Sequence, residues 1–516
     1  MTGAQLMLQM LREQGVEVCF ANPGTTELDV VRAMEHVPQM RSVIGLQENI
    51  CTGAADGYGR MLGKPACTLL HLGPGFANGI ANLHNARRAR TPIINIIGDQ
   101  TSWHLPFDAP LTSDIESLAH PVSGWVRRVT SAQECGEVAQ EAVARTALHG
   151  GQGVSIIFPA DYQAQEVADT NGKSVLTPHV TSPASSMDIP ALVDLLRSSR
   201  NLVFLLGGGG AHSALSARGQ MAVARLCEVL PARAFAETFP SRSERGQGLP
   251  AFDRLPYFPE PARQVLDAAD RVVLVGALPP VTYFGYSGQP SQMVEDERLL
   301  TVCQPGEDAV LVLEALATAL EAPAYQAPAT SLPPEPQGPL TPSAIGAALS
   351  RALPSNAIVS VEGGTCGYPF YAVSHTAAVH TTLTNTGGAI GQGLPAAMGA
   401  ALACPDRKVV ALLSDGSTQY TIQTLWSLAH ENLNVLVLIA ANHQYAILRN
   451  ELRRGGAPLS PQSESMTALD KPRIDWVGLA HAYGVQGVRV HNSEELTSQL
   501  AVWMQHPGPA LIEMSL

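Results

Sequence analysis

The stretch from Ser414 to Asn442 constrains the fold of this chain more than any other. It begins with Ser-Asp-Gly-Ser, continues through an amphipathic segment, and ends in an apolar run followed by Ala-Asn. The pattern predicts a helix over 421–430 and a buried strand over 434–440. Because a strand–helix–strand unit brings both strand ends to one edge of a parallel sheet, Asp415 and Asn442 should meet at that edge.

The residue types at this edge suit a metal ion and a phosphate. Asp415 supplies a carboxylate and Asn442 an amide oxygen, and Mg²⁺ prefers such hard oxygen ligands together with phosphate oxygens. Gly416 and Ser417 open the following helix, where free backbone N–H groups suit a phosphate. An ordinary Asp-Gly turn is the alternative, because this pair is common in turns.

A second signal lies near the N-terminus, at Glu48. A lone glutamate on a helix is usually a solvated surface residue. Glu48, however, follows the apolar residues 43–46 and precedes the small residues 51–55, and the segment ends in Gly-Tyr-Gly-Arg. These flanks are too apolar for a typical surface face, so we expect Glu48 to occupy a largely apolar site.

Together the two signals resemble the thiamine-diphosphate (ThDP) enzymes of the acetolactate synthase and benzoylformate decarboxylase family. The family's diphosphate motif begins Gly-Asp-Gly-Ser and ends Asn-Asn; here Ser414 replaces the first glycine and Ala441 the first asparagine. The resemblance covers essentially the whole chain. It implies ThDP and Mg²⁺ as cofactors, with the metal held by Asp415, Asn442 and the carbonyl of Gln444.

The same resemblance implies further roles in cofactor binding. Glu48 would contact the cofactor's pyrimidine and promote formation of the ylid, which is the electron sink of the reaction. The Gly388 carbonyl would accept a bond from the cofactor's amino group, and Ile390 would force the cofactor into a bent shape. The implied cofactor-binding residues are Gly388, Ile390, Thr365, Asp415, Gly416, Ser417, Asn442 and Tyr445.

The substrate side is implied by a resemblance to benzoylformate decarboxylase. Thr25 matches a serine that contacts the substrate carboxylate in that enzyme, and His71 matches a catalytic histidine; a structural histidine at a strand end is the alternative for His71. Phe284 stands at the position of that enzyme's second catalytic histidine, which weakens the case for an aromatic 2-oxo acid. Trp103 and His104 would line the pocket or belong to a solvated loop.

Short apolar strands alternate with helices along the chain, which predicts parallel α/β sheets. Linkers are predicted over 182–187 and, from Pro- and Ala-rich composition, over 321–342.

The glycine run at 207–210 lacks the third glycine of a dinucleotide fingerprint, and no acidic residue ends a clear second strand, which argues against FAD. We therefore predict three doubly wound parallel-sheet domains: pyrimidine-binding (1–165), central Rossmann-like (188–322), and diphosphate- and Mg-binding (343–516).

Composition narrows the class of protein further. The 516-residue chain has a net charge of −13, which argues against a nucleic acid or an anionic membrane as a partner. Its apolar runs are too short for a membrane span, and its N-terminus does not read as a signal peptide. Eight cysteines without C-x-x-C spacing indicate thiols in a reducing compartment. We expect a cytoplasmic protein, and the resemblance implies a homodimer or homotetramer with ThDP at the subunit interface.

Three functions remain open for a small-molecule 2-oxo acid substrate. The first, which we favour, is decarboxylation followed by carboligation of the resulting enamine, as in acetolactate synthase. The second is simple decarboxylation, as in benzoylformate decarboxylase. The third is a weakly catalytic ThDP-binding paralogue, suggested by Ser414 and Ala441; retention of Glu48, Asp415 and Asn442 argues against it. A dinucleotide oxidoreductase would need a fingerprint that the chain lacks.

Overall fold

The computed structural model describes residues 1–167, 188–456 and 458–516. The predicted linker over 182–187 lies outside these residues. The described chain forms two compact units: unit 1 comprises residues 1–167, 333–373 and 387–516, and unit 2 comprises residues 188–332 and 374–386. The predicted domain boundaries stay predictions.

The strands are short and mostly apolar, as is typical of parallel sheets buried on both faces. In chain order they are β1 (Val18–Asn22), β2 (Arg41–Ile44), β3 (Ala66–Leu70), β4 (Ile93–Asp99), β5 (Trp125–Arg128), β6 (Gly153–Pro159), β7 (Leu202–Leu206), β8 (Ala232–Ala236), β9 (Arg242–Arg245), β10 (Asp253–Arg254), β11 (Arg271–Val275), β12 (Leu299–Cys303), β13 (Ala357–Glu362), β14 (His380–Thr384), β15 (Val409–Ser414), β16 (Val435–Ala441), β17 (Gln486–Val490) and β18 (Ala510–Ser515).

Helices connect most of these strands. They are α1 (Gly3–Glu13), α2 (Leu28–Met34), α3 (Glu48–Leu62), α4 (Leu72–Ala89), α5 (Ile115–Ala119), α6 (Cys135–Thr146), α7 (Ala160–Ala164), α8 (Ile189–Ser198), α9 (Ala217–Val229), α10 (Pro259–Leu266), α11 (Ala309–Ala319), α12 (Pro342–Ala352), α13 (Gly364–Ser374), α14 (Gly393–Ala403), α15 (Asp415–Thr418), α16 (Thr424–His430), α17 (Ala446–Arg454), α18 (Pro461–Thr467), α19 (Trp476–Ala482) and α20 (Ser493–Trp503). None of them in the described ranges is both long and apolar enough to cross a membrane.

The first sheet of unit 1 has the strand order β2-β1-β3-β4-β6-β5, and all its strand pairs are parallel. The chain runs outward from β1 to β2 and then returns to β3 on the other side of β1. Such a reversal opens a crevice at the carboxyl ends of the two central strands, where α/β proteins bind ligands. The residues that follow β1 and β3 therefore face a common crevice.

The second sheet of unit 1 places β17, β18, β16, β15 and β13 side by side. These strands are parallel, and β15 pairs with β16 up to Ser414 and Ala440. Asp415 and Asn442 therefore follow neighbouring strand ends, as the sequence predicts. The predicted strand over 434–440 is β16. The predicted helix over 421–430 is α16, preceded by a 3₁₀ turn at Gln419–Thr421.

Unit 2 contains a parallel sheet with the order β10-β8-β7-β11-β12. It also contains an antiparallel pair, β9 and β14. The sequence analysis did not predict β9, because its residues Arg-Ser-Glu-Arg lack an apolar pattern. The parallel sheets with intervening helices confirm the predicted α/β fold class.

One expectation about the glycine run after β7 was wrong. Glu237 does follow the second strand of the unit 2 sheet directly, since β8 ends at Ala236. Its Oε1 accepts the backbone N–H of Gly208 at 2.7 Å. The sequence analysis missed this acid because β8 (ARAFA) carries an arginine and only a short apolar pattern.

Two helices of unit 1, α3 and α14, approach each other through glycines. A Cβ at Gly399 would overlap the backbone carbonyl oxygen of Ala54 and lie 2.7 Å from the backbone nitrogen of Tyr58. Since backbone atoms cannot rotate away as a side chain can, we expect Gly399→Ala to destabilise the protein by about 1–3 kcal/mol, the usual cost of overpacking. Thermal unfolding should show a lower midpoint. Gly285→Ala is the control, because a Cβ there meets no atom within 4 Å; equal midpoints for the two variants would contradict this account.

Lys408, just before β15, carries a buried ammonium group whose effect on stability can be measured as a function of pH. Lys408 is 7% exposed and donates to Asn434 Oδ1 at 2.9 Å and to the His506 carbonyl at 2.8 Å. Burial lowers the pKa of Lys408 to about 8, whereas an unfolded lysine titrates near pH ~10.4. Between these values the unfolded chain binds more protons, so this group's contribution to the free energy of unfolding rises with pH.

We therefore expect the stability of the wild type relative to Lys408→Met to increase between pH 8 and about pH 10. Thermal midpoints of both proteins, measured across this range, check it. Lys64→Met is the matched control, because the Lys64 side chain is 56% exposed. A difference between wild type and Lys408→Met that does not change with pH would contradict the burial argument.

Candidate active site

Glu48 is the first residue of α3 and is held at the crevice of the first sheet. The Gln47 side chain caps the helix by accepting the Asn49 N–H at 2.7 Å. Glu48 is 9% exposed, and its Oε2 accepts a hydrogen bond from Asn78 Nδ2 at 3.0 Å. Asn78 lies on α4 and was not predicted as a site residue. Glu48 is therefore buried as expected, but in a site with one polar partner.

His71 directly follows β3 and precedes α4. Its Nδ1 lies 2.8 Å from Oε2 of Glu27, and the Glu27 side chain is fully buried. Glu27 also accepts the Gly24 N–H at 2.7 Å and the Thr26 hydroxyl at 2.6 Å. The sequence analysis included Glu27 in no site, although it belongs to the same loop as Thr25. Only the structure shows that Glu27 is buried against His71, which is the observation that makes it a candidate site residue.

Glu48 and His71 belong to one cluster, because both side chains pack against Gly75. A Cβ at Gly75 would lie 3.0 Å from Glu48 Oε1 and 3.2 Å from His71 Cβ. The absence of a side chain at this position therefore leaves room for the Glu48 carboxyl group and the Cβ of His71 to pack there together. The structure thus brings together two of the three residues predicted to be catalytic.

The third predicted catalytic residue, Thr25, begins a 3₁₀ turn that follows β1. Its side chain is exposed. The hydroxyl that lies near the histidine belongs to its neighbour Thr26, whose Oγ1 is 3.4 Å from His71 Nδ1. The role predicted for Thr25 stays a prediction.

At the second sheet, Asp415 begins α15 and is 1% exposed. Its two carboxylate oxygens each accept one backbone N–H bond, from Gly416 at 2.8 Å and from His443 at 2.6 Å. Burial raises the pKa of Asp415, and the bonds from these two N–H groups oppose that shift. Within the described part of the chain no cationic side chain forms an ion pair with Asp415. A bound cation would offset the cost of burying this carboxylate.

Asn442 follows β16 and lies beside α13. Its Nδ2 donates to Thr365 Oγ1 at 3.1 Å, and its Oδ1 accepts the Gln444 N–H at 3.1 Å. The Gln444 side chain turns away to accept from Arg449 Nη1 at 2.5 Å. Asn442 and Thr365, both predicted from the sequence, are therefore in direct contact.

Glycines shape the backbone around Asp415. Gly363 has φ 117°, and a Cβ there would overlap Oγ of Ser414, the residue that replaces the family's first glycine. Gly416 packs against the Tyr445 ring, since its Cβ would lie 2.6 Å from that ring. The hydroxyl of Ser417 donates to the Ser414 carbonyl at 3.0 Å. Ser417 can therefore contribute to anion binding through its backbone N–H group. A side chain at Gly363 or Gly416 would displace Ser414 or Tyr445 and so disturb the backbone around Asp415.

The predicted glycine loop before α14 is held by a buried carboxylate. Glu362 is 3% exposed and accepts the backbone N–H groups of Gly391, Gln392 and Gly393 at 2.9, 3.1 and 3.0 Å. These are the orphan donors of a helix N-terminus. Glu362 therefore fixes the start of α14.

The remainder of this loop is held by α4. Asn85 Nδ2 donates to the Ala389 carbonyl at 2.7 Å, and its Oδ1 accepts the Ala389 N–H at 3.1 Å. Gly388 has φ 81°, in the left-handed region that favours glycine. Ile390 is half-buried. The cofactor contacts predicted for Gly388 and Ile390 stay predictions.

Nine of the twelve predicted site residues thus form two groups, and Thr25, Gly388 and Ile390 are the other three. The first contains Glu48 and His71, and the second contains Asp415, Gly416, Asn442, Thr365, Ser417, Gln444 and Tyr445. Among the described residues, no hydrogen bond or ion pair joins the first group to the second. Trp103 is 68% exposed, stacks edge-on against His104, and belongs to neither group. Phe284 is 56% exposed and contacts Tyr283 and Tyr286 within unit 2.

Comparison with known proteins explains both groups. Residues 1–118 match the N-terminal TPP-binding domain of thiamine pyrophosphate enzymes, and residues 363–514 match their C-terminal TPP-binding domain. Over 519 aligned residues the chain is 43% identical to a Mycobacterium tuberculosis protein provisionally named acetolactate synthase large subunit IlvX, covering 100% of this chain and 99% of that protein. The chain belongs to the thiamine pyrophosphate enzyme family.

Two further similarities place the chain within this family. It is 28% identical to benzoylformate decarboxylase of Pseudomonas aeruginosa, over 98% of this chain and 97% of that enzyme. It superposes with a TM-score of 0.84 on a ThDP-dependent 4-hydroxybenzoylformate decarboxylase of Rhodococcus jostii RHA1, at 26% identity, covering 99% of this chain and 98% of that one. The predicted relationship with acetolactate synthases and benzoylformate decarboxylases is therefore confirmed.

The residues present fit the cofactor and the metal that the family implies. Asp415 and Asn442 offer hard oxygen atoms from neighbouring strand ends, and Asp415 is a buried carboxylate that forms no ion pair among the described residues. Gly363 and Gly416 let Ser414 and Tyr445 pack closely against the backbone on either side of Asp415. Such a donor set is suited to Mg²⁺ beside a diphosphate. Glu48, at the crevice of the other sheet, is a buried carboxyl group able to bind a ring nitrogen.

Proposed function

We propose that this protein catalyses the ThDP- and Mg²⁺-dependent decarboxylation of a 2-oxo acid, followed by carboligation. The observation that carries the proposal is the pair of sites: a buried carboxyl group beside a histidine at one sheet, and a buried carboxylate beside an amide at the other. The similarity in sequence, over the full chain, to a protein provisionally named acetolactate synthase large subunit supports the carboligation step.

One group of site residues would bind the cofactor and the metal, and the other would transfer protons. Asp415, Asn442 and the Gln444 carbonyl would hold Mg²⁺, while Thr365 and the N–H groups of Gly416 and Ser417 would hold the diphosphate. Tyr445 would flank the diphosphate. The Gly388 carbonyl and Ile390 would orient the pyrimidine. When bound, ThDP supplies an electron sink for the bond that breaks.

Proton transfer falls to the first group. Glu48 would bind the cofactor's pyrimidine nitrogen and hold the proton that activates the cofactor, and Asn78 keeps this carboxyl group in place through its 3.0 Å bond. His71 would exchange a proton with the substrate, and Thr25 would contact the substrate carboxylate. Burial of Glu48 keeps water from competing for these protons.

Simple decarboxylation is the second candidate. Two relatives that cover nearly the whole chain are a benzoylformate decarboxylase and a 4-hydroxybenzoylformate decarboxylase. Phe284 stands where benzoylformate decarboxylase has its second catalytic histidine, so the enamine intermediate would react differently here than in that enzyme. The two candidates share the cofactor, the metal and the loss of CO₂, and they differ in whether a second carbonyl compound is joined.

The product distinguishes them. The purified protein, supplied with ThDP and Mg²⁺, is incubated with a panel of 2-oxo acids, alone and in pairs, and the products are identified by mass spectrometry. A C–C-coupled product is expected. Free aldehyde as the only product would replace carboligation by simple decarboxylation, and bound ThDP without CO₂ release from any acid would favour the weakly catalytic paralogue.

We also propose a homodimer or homotetramer in which ThDP is bound between subunits. Helix α17, which follows the diphosphate site directly, has no buried residue in the single chain. Ile447 and Leu448 on this helix are 50% and 49% exposed, so a second subunit would cover an apolar face. A cytoplasmic location fits the eight cysteines, all of which are free thiols.

A further inference from the structure

Glu27 is a buried glutamate that shares a hydrogen bond with His71. The Glu27 side chain has no solvent exposure, while the imidazole of His71 is 24% exposed. Charged side chains are almost never fully buried unless they are paired. A carboxylate buried at the carboxyl end of β1 therefore needs its hydrogen-bond partners, and His71 is one of them.

The hydrogen bonds fix which nitrogen of His71 carries the proton. Oε2 of Glu27 accepts the Gly24 N–H at 2.7 Å, and Oε1 accepts the Thr26 hydroxyl at 2.6 Å. An ionised carboxylate has no proton to donate, so against ionised Glu27 it is His71 Nδ1, 2.8 Å from Oε2, that donates. The proton on Nδ1 then leaves Nε2 as the acceptor in the neutral ring.

Two glycines make this arrangement possible. A Cβ at Gly98, on β4, would overlap Oε1 of Glu27, and a Cβ at Gly24 would overlap Nδ1 of His71. Neither glycine has a backbone angle that demands glycine. Both positions require glycine for steric reasons, because the Glu27 carboxylate and the His71 imidazole occupy the volume that a Cβ would need.

The other nitrogen of His71 is available for chemistry. Among the described residues no hydrogen bond to His71 Nε2 is formed. The Cβ of His71 and Oε1 of Glu48 both lie against Gly75, so the histidine belongs to the same crevice as the carboxyl group that would activate the cofactor. The carboxyl groups shown near His71 are Glu27, which shares a hydrogen bond with it, and Glu48, which packs against the same glycine.

We propose that Glu27 is a positioning residue, which holds His71 with its proton on Nδ1 and so presents Nε2 for proton exchange with the 2-oxo acid. The proposal rests on the proposed function for the substrate and for the proton exchange by His71. Glu27 touches neither the substrate nor the cofactor in this role, and its effect passes through His71. A carboxylate that orients a catalytic imidazole in this way fixes both its tautomer and its rotamer.

A double-mutant cycle tests the role. Glu27→Ala removes the acceptor, and we expect it to lower kcat by about 10- to 100-fold, part of the 10²–10⁴-fold that a positioned acid–base group contributes. Glu27→Gln keeps an acceptor for Nδ1 and should recover most of this loss. In a His71→Ala background, neither substitution should lower kcat further, because the residue through which Glu27 acts is absent.

The control readouts separate positioning from folding. Bound ThDP and the thermal midpoint are measured for each variant, and Glu13→Gln, on the exposed face of α1, serves as the matched substitution. A loss of kcat from Glu27→Ala that is equally large in the His71→Ala background would overturn the proposal, since it would mean that Glu27 acts on the fold.

A second measurement does not require turnover. In protein with isotopically labelled histidine, the nitrogen resonances of His71, assigned with His71→Asn, report which ring nitrogen carries the proton. We expect the proton on Nδ1 in the wild type and a shift toward Nε2 in Glu27→Ala. A proton on Nε2 in the wild type would overturn the proposal. If no 2-oxo acid is turned over, the proposed function fails while this readout still tests Glu27.

Discussion

Glu48→Gln is expected to lower turnover of the 2-oxo acid by about 10²–10⁴-fold, the contribution of a positioned acid–base group, while leaving ThDP bound. Glutamine keeps the size of the side chain and an oxygen that can accept from Asn78, whose Nδ2 lies 3.0 Å from Glu48 Oε2. It cannot hold the acidic proton that activates the cofactor. The rate of CO₂ release and the amount of ThDP retained, both measured on the same preparation, check this result.

Glu13→Gln is the control for this experiment. It makes the same chemical change on α1, at an exposed position, and should leave both quantities unchanged. Full turnover by Glu48→Gln would remove Glu48 from the mechanism. Loss of ThDP from that variant would give Glu48 a binding role in place of the proton-transfer role.

Asp415→Ala is expected to weaken the Mg²⁺-dependent retention of ThDP by at least about 100-fold, because even the outer partners of metal ligands contribute 10–100-fold to metal affinity. The substitution removes the buried carboxylate at the end of β15 and leaves the N–H groups of Gly416 and His443 without their acceptor. Titration calorimetry with ThDP, at several Mg²⁺ concentrations, measures the change.

Asp406→Asn is the matched control, since Asp406 is exposed and lies before the same strand, β15. It should bind ThDP as the wild type does, with the same dependence on Mg²⁺. If Asp415→Ala retained ThDP with unchanged affinity and unchanged Mg²⁺ dependence, Asp415 would not be a metal ligand.

The sequence predicts well those features that depend on apolar runs and strand ends. The run Val-Leu-Val-Leu-Ile-Ala forms most of β16, and the Asp415 and Asn442 ends meet because β15 and β16 are parallel neighbours. Similarly, His71 follows β3 and Glu48 opens α3. In each case a buried strand or a helix start is encoded locally, so its position can be read without tertiary information.

Features that depend on contacts distant in sequence could not be predicted. Glu27 pairs with His71 and Asn78 with Glu48, and both pairs form only when the strands and helices of the first sheet are assembled. The strand β9 depends on its antiparallel partner and not on its own apolarity. The acid at Glu237 was missed because the strand before it, β8, is partly polar and only partly buried. Tertiary pairing overrides local pattern at these positions.

The most direct test of the central claim is CO₂ release from a panel of 2-oxo acids by the wild type and by Glu48→Gln, with ThDP and Mg²⁺ each present or withheld. We predict that the wild type releases CO₂ from at least one acid only when both are supplied, and that Glu48→Gln, with ThDP bound, does not. CO₂ release that is independent of added and bound ThDP, or equal in the two proteins, would contradict the account.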